Sequence, residues 1–107
     1  MVSGRIGARW SVRLSIDRRG GWRRWLPVSG EFERQLEALA SRAVIGPHID
    51  AETRRGPDNV RVTVAMTVVA GDVAEALDIA LLAFEQASGD VLDWDMTSAA
   101  AEVRPSP

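Results

Sequence analysis

Hydrophobic residues recur in this chain with two periods, and the order in which those periods alternate constrains the fold more than any single motif. The clearest stretch is 59–70, where Val60, Val62, Val64, Met66 and Val68 alternate with Asn59, Arg61, Thr63, Ala65 and Thr67. A period of two suits a strand with one buried face, because successive side chains point to opposite sides. Trp10, Val12, Leu14 and Ile16 alternate in the same way with Arg9, Ser11, Arg13, Ser15 and Asp17, which predicts a first strand over 9–17. The pair Gly20-Gly21 breaks that pattern, since glycine tolerates positive φ.

Helical spacing replaces alternation twice. Phe32, Leu36, Leu39, Ala40 and Ala43 form one apolar stripe and predict a helix from about Gly30 to Val44. Ser29 or Gly30 is its expected N-cap, Glu31 and Glu33 suit its positive end, Arg42 its negative end, and Gly46-Pro47 its termination. Val73, Leu77, Ala80, Leu81 and Phe84 predict a second helix. Asp72 followed by Glu75 reads as its capping box, and Gly89 as its left-handed terminator.

The remaining segments are weaker. His48–Arg55 reads as a polar edge strand with Ile49, Ala51 and Thr53 inward, followed by a turn at Gly56-Pro57-Asp58-Asn59. A last strand is expected over 91–103, where Leu92, Trp94 and Met96 alternate with Asp93, Asp95 and Thr97 before Ser98–Ala101 invites a bulge. Trp22–Pro27 reads in two ways, as a short return strand near 22–26 or as an extended loop, and Pro27 argues against a central strand.

Strand, helix, strand, strand, helix, strand is the order of a ferredoxin-like βαββαβ sandwich. The expected class is α+β, with a four-stranded antiparallel sheet of order 4-1-3-2 and two helices on one face. A chain of 107 residues suits one domain over 1–107, with 1–8 and 104–107 as frayed tails. This topology hosts RNA binders, metallochaperones, sensors, oxygenases and acylphosphatases, so it predicts no activity.

Composition narrows the chemistry. There is no cysteine, lysine or tyrosine, and all thirteen basic residues are arginine. Thiolate, Schiff-base and phosphate-loop-lysine chemistry are thereby excluded. Exclusive use of arginine reads as high-GC coding of bacterial or phage origin. No apolar run approaches the roughly 18 residues of a membrane span, and 1–5 lacks the apolar stretch of a signal peptide, so a cytoplasmic setting without membrane contact is expected. The net charge of −2 is unevenly spread: residues 1–25 carry seven arginines against Asp17, a net +6, whereas 26–107 carry six arginines and fourteen acids, a net −8. Such asymmetry either marks an anion-binding patch or cancels when folding brings the two halves together.

The most unusual run is Arg18-Arg19-Gly20-Gly21-Trp22-Arg23-Arg24-Trp25. Arg and Trp are the residue types enriched in interface hot spots, so Arg18, Arg19, Trp22, Arg23, Arg24 and Trp25 are the candidate partner-binding residues. The competing reading has the tryptophans covering the open end of a small core. Arg13, Arg61, Thr63 and Thr67 are expected on the open sheet face, as a candidate dimer interface or a solvated surface. That face lacks the stacking aromatics an RNA-recognition domain needs, and an acidic chain disfavours nucleic acid.

Asp93 and Asp95 would share a strand face, as metal- or proton-handling carboxylates would, but solvated strand acids are commoner. His48 is the only histidine and could pair with Asp50; no serine stands at a nucleophile turn. No cofactor or metal is therefore expected. The leading expectation is a non-enzymatic protein-interaction or regulatory module with a protein partner, self-associating as a homodimer through the sheet. The alternatives are a small-anion sensor, an enzyme of the dimeric α/β-barrel kind, and a weak nucleic-acid binder.

Overall fold

A computed structural model describes residues 7–89 and 91–107, with the backbone alone for Val91. The elements are β1 (Ala8–Arg19), α1 (Gly21–Glu37), β2 (Val44–Arg55), β3 (Asn59–Ala70), α2 (Val73–Ser88), a single 3-10 turn (Val91–Asp93) and β4 (Trp94–Pro105). The sheet order is β2-β3-β1-β4 and every pairing is antiparallel. This is the expected ferredoxin-like α+β sandwich.

β1 and β3 pair without a break from Ala8↔Ala70 to Arg19↔Asn59. That register brings Val12, Leu14 and Ile16 beside Met66, Val64 and Val62 on the face the helices cover, where all six are buried. Phe32 and Leu36 of α1 and Ala76, Ala80, Ala83, Phe84 and Ala87 of α2 complete that core. Trp25, Phe32, Phe84 and Trp94 meet as a cluster at one end, with centroids 4.8–5.8 Å apart at steep angles. Each large side chain buried there contributes about 1.5–3 kcal/mol.

α2 starts as its sequence requires. The Asp72 carboxylate accepts the Glu75 N–H at 2.8 Å, and Glu75 reaches back to the N–H of Gly71, one residue before the usual capping-box donor. Gly89, at φ 69°, closes it. Val73, expected in the stripe, is about half exposed because it sits in the first turn, beyond the buried row Ala76-Ala80-Ala83-Ala87.

α1 begins nine residues before the expected Gly30 and ends at Glu37. Trp22–Leu26 is therefore neither a fifth strand nor a loop but the first turns of this helix. Gly20 and Gly21, at φ 95° and 70°, turn the chain out of β1, and both donate their N–H to the Asp58 carbonyl at 2.8 Å. Trp25, Phe32 and Leu36 then share one face. Pro27 is tolerated because it lies on the exposed side: it cannot donate to the Arg23 carbonyl, which solvent can hydrate instead. Ala40, Arg42 and Ala43 fall in the connection to β2 rather than on the helix.

β2 starts at Val44 and contains two register breaks, between Ile45 and His48 and between Ile49 and Ala51. The second inserts Asp50 and changes the phase. Ile49 and Glu52 face the helices, while Ala51 and Thr53, expected inward, share the open face with Thr63 and Arg61. In β4 the anticipated irregularity lies between the Ser15↔Ala100 and Asp17↔Asp95 pairs. Ser98 fills it, its hydroxyl accepting the Asp17 N–H at 2.8 Å. Leu92, expected in the strand, is 78% exposed in the 3-10 turn. Arg104 and Pro105, expected as a tail, pair with Ser11 and Trp10. Residues 1–6 of the expected N-terminal tail lie outside the described residues.

Candidate functional site

The arginine and tryptophan run does not form one surface, because it spans the junction of a strand and a helix. Trp25 is fully buried, and its indole N–H donates to the Glu52 carboxylate at 2.7 Å. It is a core residue and not a contact for a partner. Arg18 turns to the helix side, where its guanidinium carbon stands 5.1 Å from the Trp94 ring centroid and 5.5 Å from that of Trp25. Asp93 lies 3.5 Å from its Nη2, and the side chain is only 13% exposed. Its Nε and the Trp94 Nε1 are buried without a hydrogen-bond partner, so the ring faces supply much of what holds this cation. Arg19, on the opposite face, donates to the carbonyls of Leu92 and Trp94 at 2.8 and 3.3 Å and approaches Asp95 at 3.8 Å.

Trp22, Arg23 and Arg24 remain at the surface, and the fold adds residues that sequence reasoning missed. The β2–β3 turn lies against the start of α1, since Asp58 accepts both glycine N–H groups. Arg54 stacks its guanidinium 5.6 Å from the centroid of half-buried Trp22. A depression of about 250 Å³ opens between them, lined by Gly20, Gly21, Trp22, Arg23, Arg54, Gly56 and Pro57. Arg55, exposed, pairs in register with Asn59 and so lies on the open face with Arg19, away from Trp22. The signal that could have found Arg54 was the antiparallel order itself, which puts the end of β1 beside the start of β3.

Charge at this corner is unbalanced. Arg13, Arg18, Arg19 and Arg61 are matched to Asp50, Asp93, Asp95 and Asp17 respectively. Arg23, Arg24, Arg54 and Arg55 have no ion-pair partner among the described residues. Folding thus neutralises part of the N-terminal excess and gathers another part at one corner. Two arginines in the first turn of a helix also oppose its dipole, and α1 has no acid there and no side-chain cap. Helix stability does not explain their position.

The open sheet face is occupied by internal contacts. Arg13 pairs with Asp50 at 2.7 Å, and Arg61 donates at 3.0 Å to Asp17 and to the Ser98 carbonyl. Thr63, 7% exposed, shares a 2.8 Å hydrogen bond with Ser15, and Thr67 lies beside Ser11. His48 holds the Gly46 carbonyl at 2.7 Å through Nδ1, and its Nε2 is 3.8 Å from Asp50, beyond a direct hydrogen bond.

Asp93 and Asp95 do not act as a pair. The 3-10 turn directs Asp93 toward Arg18, while Asp95 sits opposite Asp17. The Thr97 hydroxyl and N–H, at 2.5 and 3.1 Å, hold the Asp95 carboxyl below its ordinary pKa, with Arg19 adding to the effect. No group of three or more potential metal ligands occurs among the described residues. Asp90, which the sequence adds to this acidic run, lies outside them.

No protein-family model matches this chain, and neither a curated protein nor a solved structure matches it. The functional reading therefore rests on the geometry of the site.

Proposed function

We propose that this chain is a non-enzymatic protein-interaction module that recognises an acidic segment of a partner protein through the corner formed by Trp22, Arg23, Arg24 and Arg54. The observation that carries the reading is a half-buried indole stacked on Arg54 in a depression that Arg23 also lines, with Arg24 beside Gly20 and none of the three arginines paired to a carboxylate among the described residues. Guanidinium forks bind carboxylates in bidentate fashion, and an indole adds apolar area at low entropic cost. The separation of His48, Asp93 and Asp95 supports a binding role over a catalytic one. The depression beside Gly20, Gly21 and Gly56 favours a second reading, a small-anion sensor using the same arginines.

Capture from native lysate with the wild-type chain and with Arg23→Glu/Arg54→Glu tests the proposal. The expected result is a protein held by the wild type alone, whose minimal binding segment is rich in Asp and Glu. Equal capture by both chains, or a binding segment without acidic residues, overturns it. Binding of inorganic phosphate or citrate without any protein would move the reading to the sensor.

A further inference from the structure

The two outer strands of the sheet are built differently. An unpaired edge invites pairing with another chain, and proteins blunt such edges with bulges, proline and charge. β2 carries all three: two register breaks, Pro47, and His48, Asp50, Glu52, Arg54 and Arg55 in succession. β4 also has a register break, a proline and charges, but its break lies before Ala100: from Ala100 to Pro105 it pairs with β1 in unbroken register, and the Ser106 N–H extends the pairing by donating to the Arg9 carbonyl at 2.9 Å.

That last bond fixes the phase of the strand. Residues 100, 102, 104 and 106 turn their backbone groups toward β1, so 101, 103 and 105 turn theirs outward. Pro105 occupies one of the outward positions, where its missing N–H costs no pairing within the sheet. The N–H and C=O groups of Ala101 and Val103 are left unpaired by any strand among the described residues.

We propose that a second copy of this chain pairs antiparallel along this edge, with the two-fold axis at Val103, joining the two sheets into one. Charge and register select that axis. Centred on Val103, the whole regular stretch from 100 to 106 is used, and Glu102, which pairs with Arg104 of its own chain, also falls opposite the partner's Arg104 on the open face, so the four charges alternate in sign. Centring on Glu102 or on Arg104 sets like charges face to face, which is destabilising in a cross-strand pair. With the axis at Val103, the two Val103 residues exchange backbone hydrogen bonds. Each Ala101 N–H reaches the Pro105 carbonyl of the other copy, so the absent proline N–H removes only the return bond. The surface is separate from the basic corner, and the proposal does not depend on it.

Sedimentation equilibrium of the full chain, with circular dichroism to check folding, tests it. The wild type should show the mass of a dimer. Ala101→Pro removes an outward N–H and leaves the β1 pairing intact, so it should give a folded monomer; Ala100→Pro, on the inward phase, should instead unfold the strand. Glu102→Arg should weaken dimerisation by about tenfold or more, and adding Arg104→Glu should restore it. A wild type that stays monomeric over the accessible concentrations overturns the proposal. So does a dimer that survives both Ala101→Pro and Glu102→Arg.

Discussion

The indole N–H of Trp25 donates to the Glu52 carboxylate at 2.7 Å, tying the first turns of α1 to the outer strand β2. Trp25 is fully buried against Phe32 and Trp94, so it acts as the lid of the core at that end. Trp25→Ala should destabilise the chain by about 3–5 kcal/mol, as other buried aromatic truncations do. Glu52→Ala leaves the indole N–H without its partner and should cost about 1–3 kcal/mol. Urea unfolding measures both. A Trp25→Ala chain as stable as the wild type would remove this residue from the core.

The start of α1 depends on Gly21. At φ 70° it lies where a side chain is strained, and a Cβ there would stand 2.6 Å from the Pro57 carbonyl oxygen, a backbone atom. Gly21→Ala should cost at least about 1–3 kcal/mol and loosen the contact of α1 with the β2–β3 turn. Thermal unfolding, with hydrogen exchange at Gly20 and residue 21, reads both effects. An unchanged melting temperature would contradict the fit.

Arg23 sets stability against function. An acid in the first turn favours the helix dipole and an arginine opposes it, so Arg23→Glu should stabilise the fold by about 0.3–1 kcal/mol while weakening capture of the acidic partner. A binding residue held at some cost to its helix behaves in this way. Loss of stability together with loss of binding would instead mark Arg23 as structural.

Asp95 makes a prediction about pH. Its folded pKa lies below the ordinary aspartate value, first because of the Thr97 hydroxyl. A carboxylate with a lowered folded pKa favours the folded state above its unfolded value, near pH 4, and that contribution is lost as pH falls through the folded value. Thr97→Val should move the Asp95 midpoint upward in a carboxyl-carbon NMR titration. An unmoved midpoint would deny the hydroxyl its role.

Much of this architecture was legible because local signals agreed with the global fold. The alternation at Val60–Val68 marks β3 to its ends, and Asp72, Glu75 and Gly89 punctuate α2 as capping chemistry requires. The start of α1 was hidden by Pro27, whose position on the exposed side of the helix is a tertiary fact. The facing of β2 was hidden by one inserted residue at Asp50, since a single extra residue exchanges the two faces of a strand. The candidate site was legible in Trp22, Arg23 and Arg24. Trp25 and Arg18 are drawn to the core by the 3.6-residue period of a helix in the first case and by two indole faces in the second. Arg54 joins the site only through the approach of the β2–β3 turn to Gly20 and Gly21.

The most direct test of the basic corner uses the four tryptophans of the chain as internal reporters. Titration of the nitrogen-15-labelled full chain with a glutamate-rich peptide should shift the indole N–H of Trp22 and the guanidinium signals of Arg23, Arg24 and Arg54. The indoles of Trp10, Trp25 and Trp94 should stay in place, and the shifts should vanish in Arg23→Glu/Arg54→Glu. A still Trp22 signal at saturating peptide, or the same shifts in the double variant, would contradict the account.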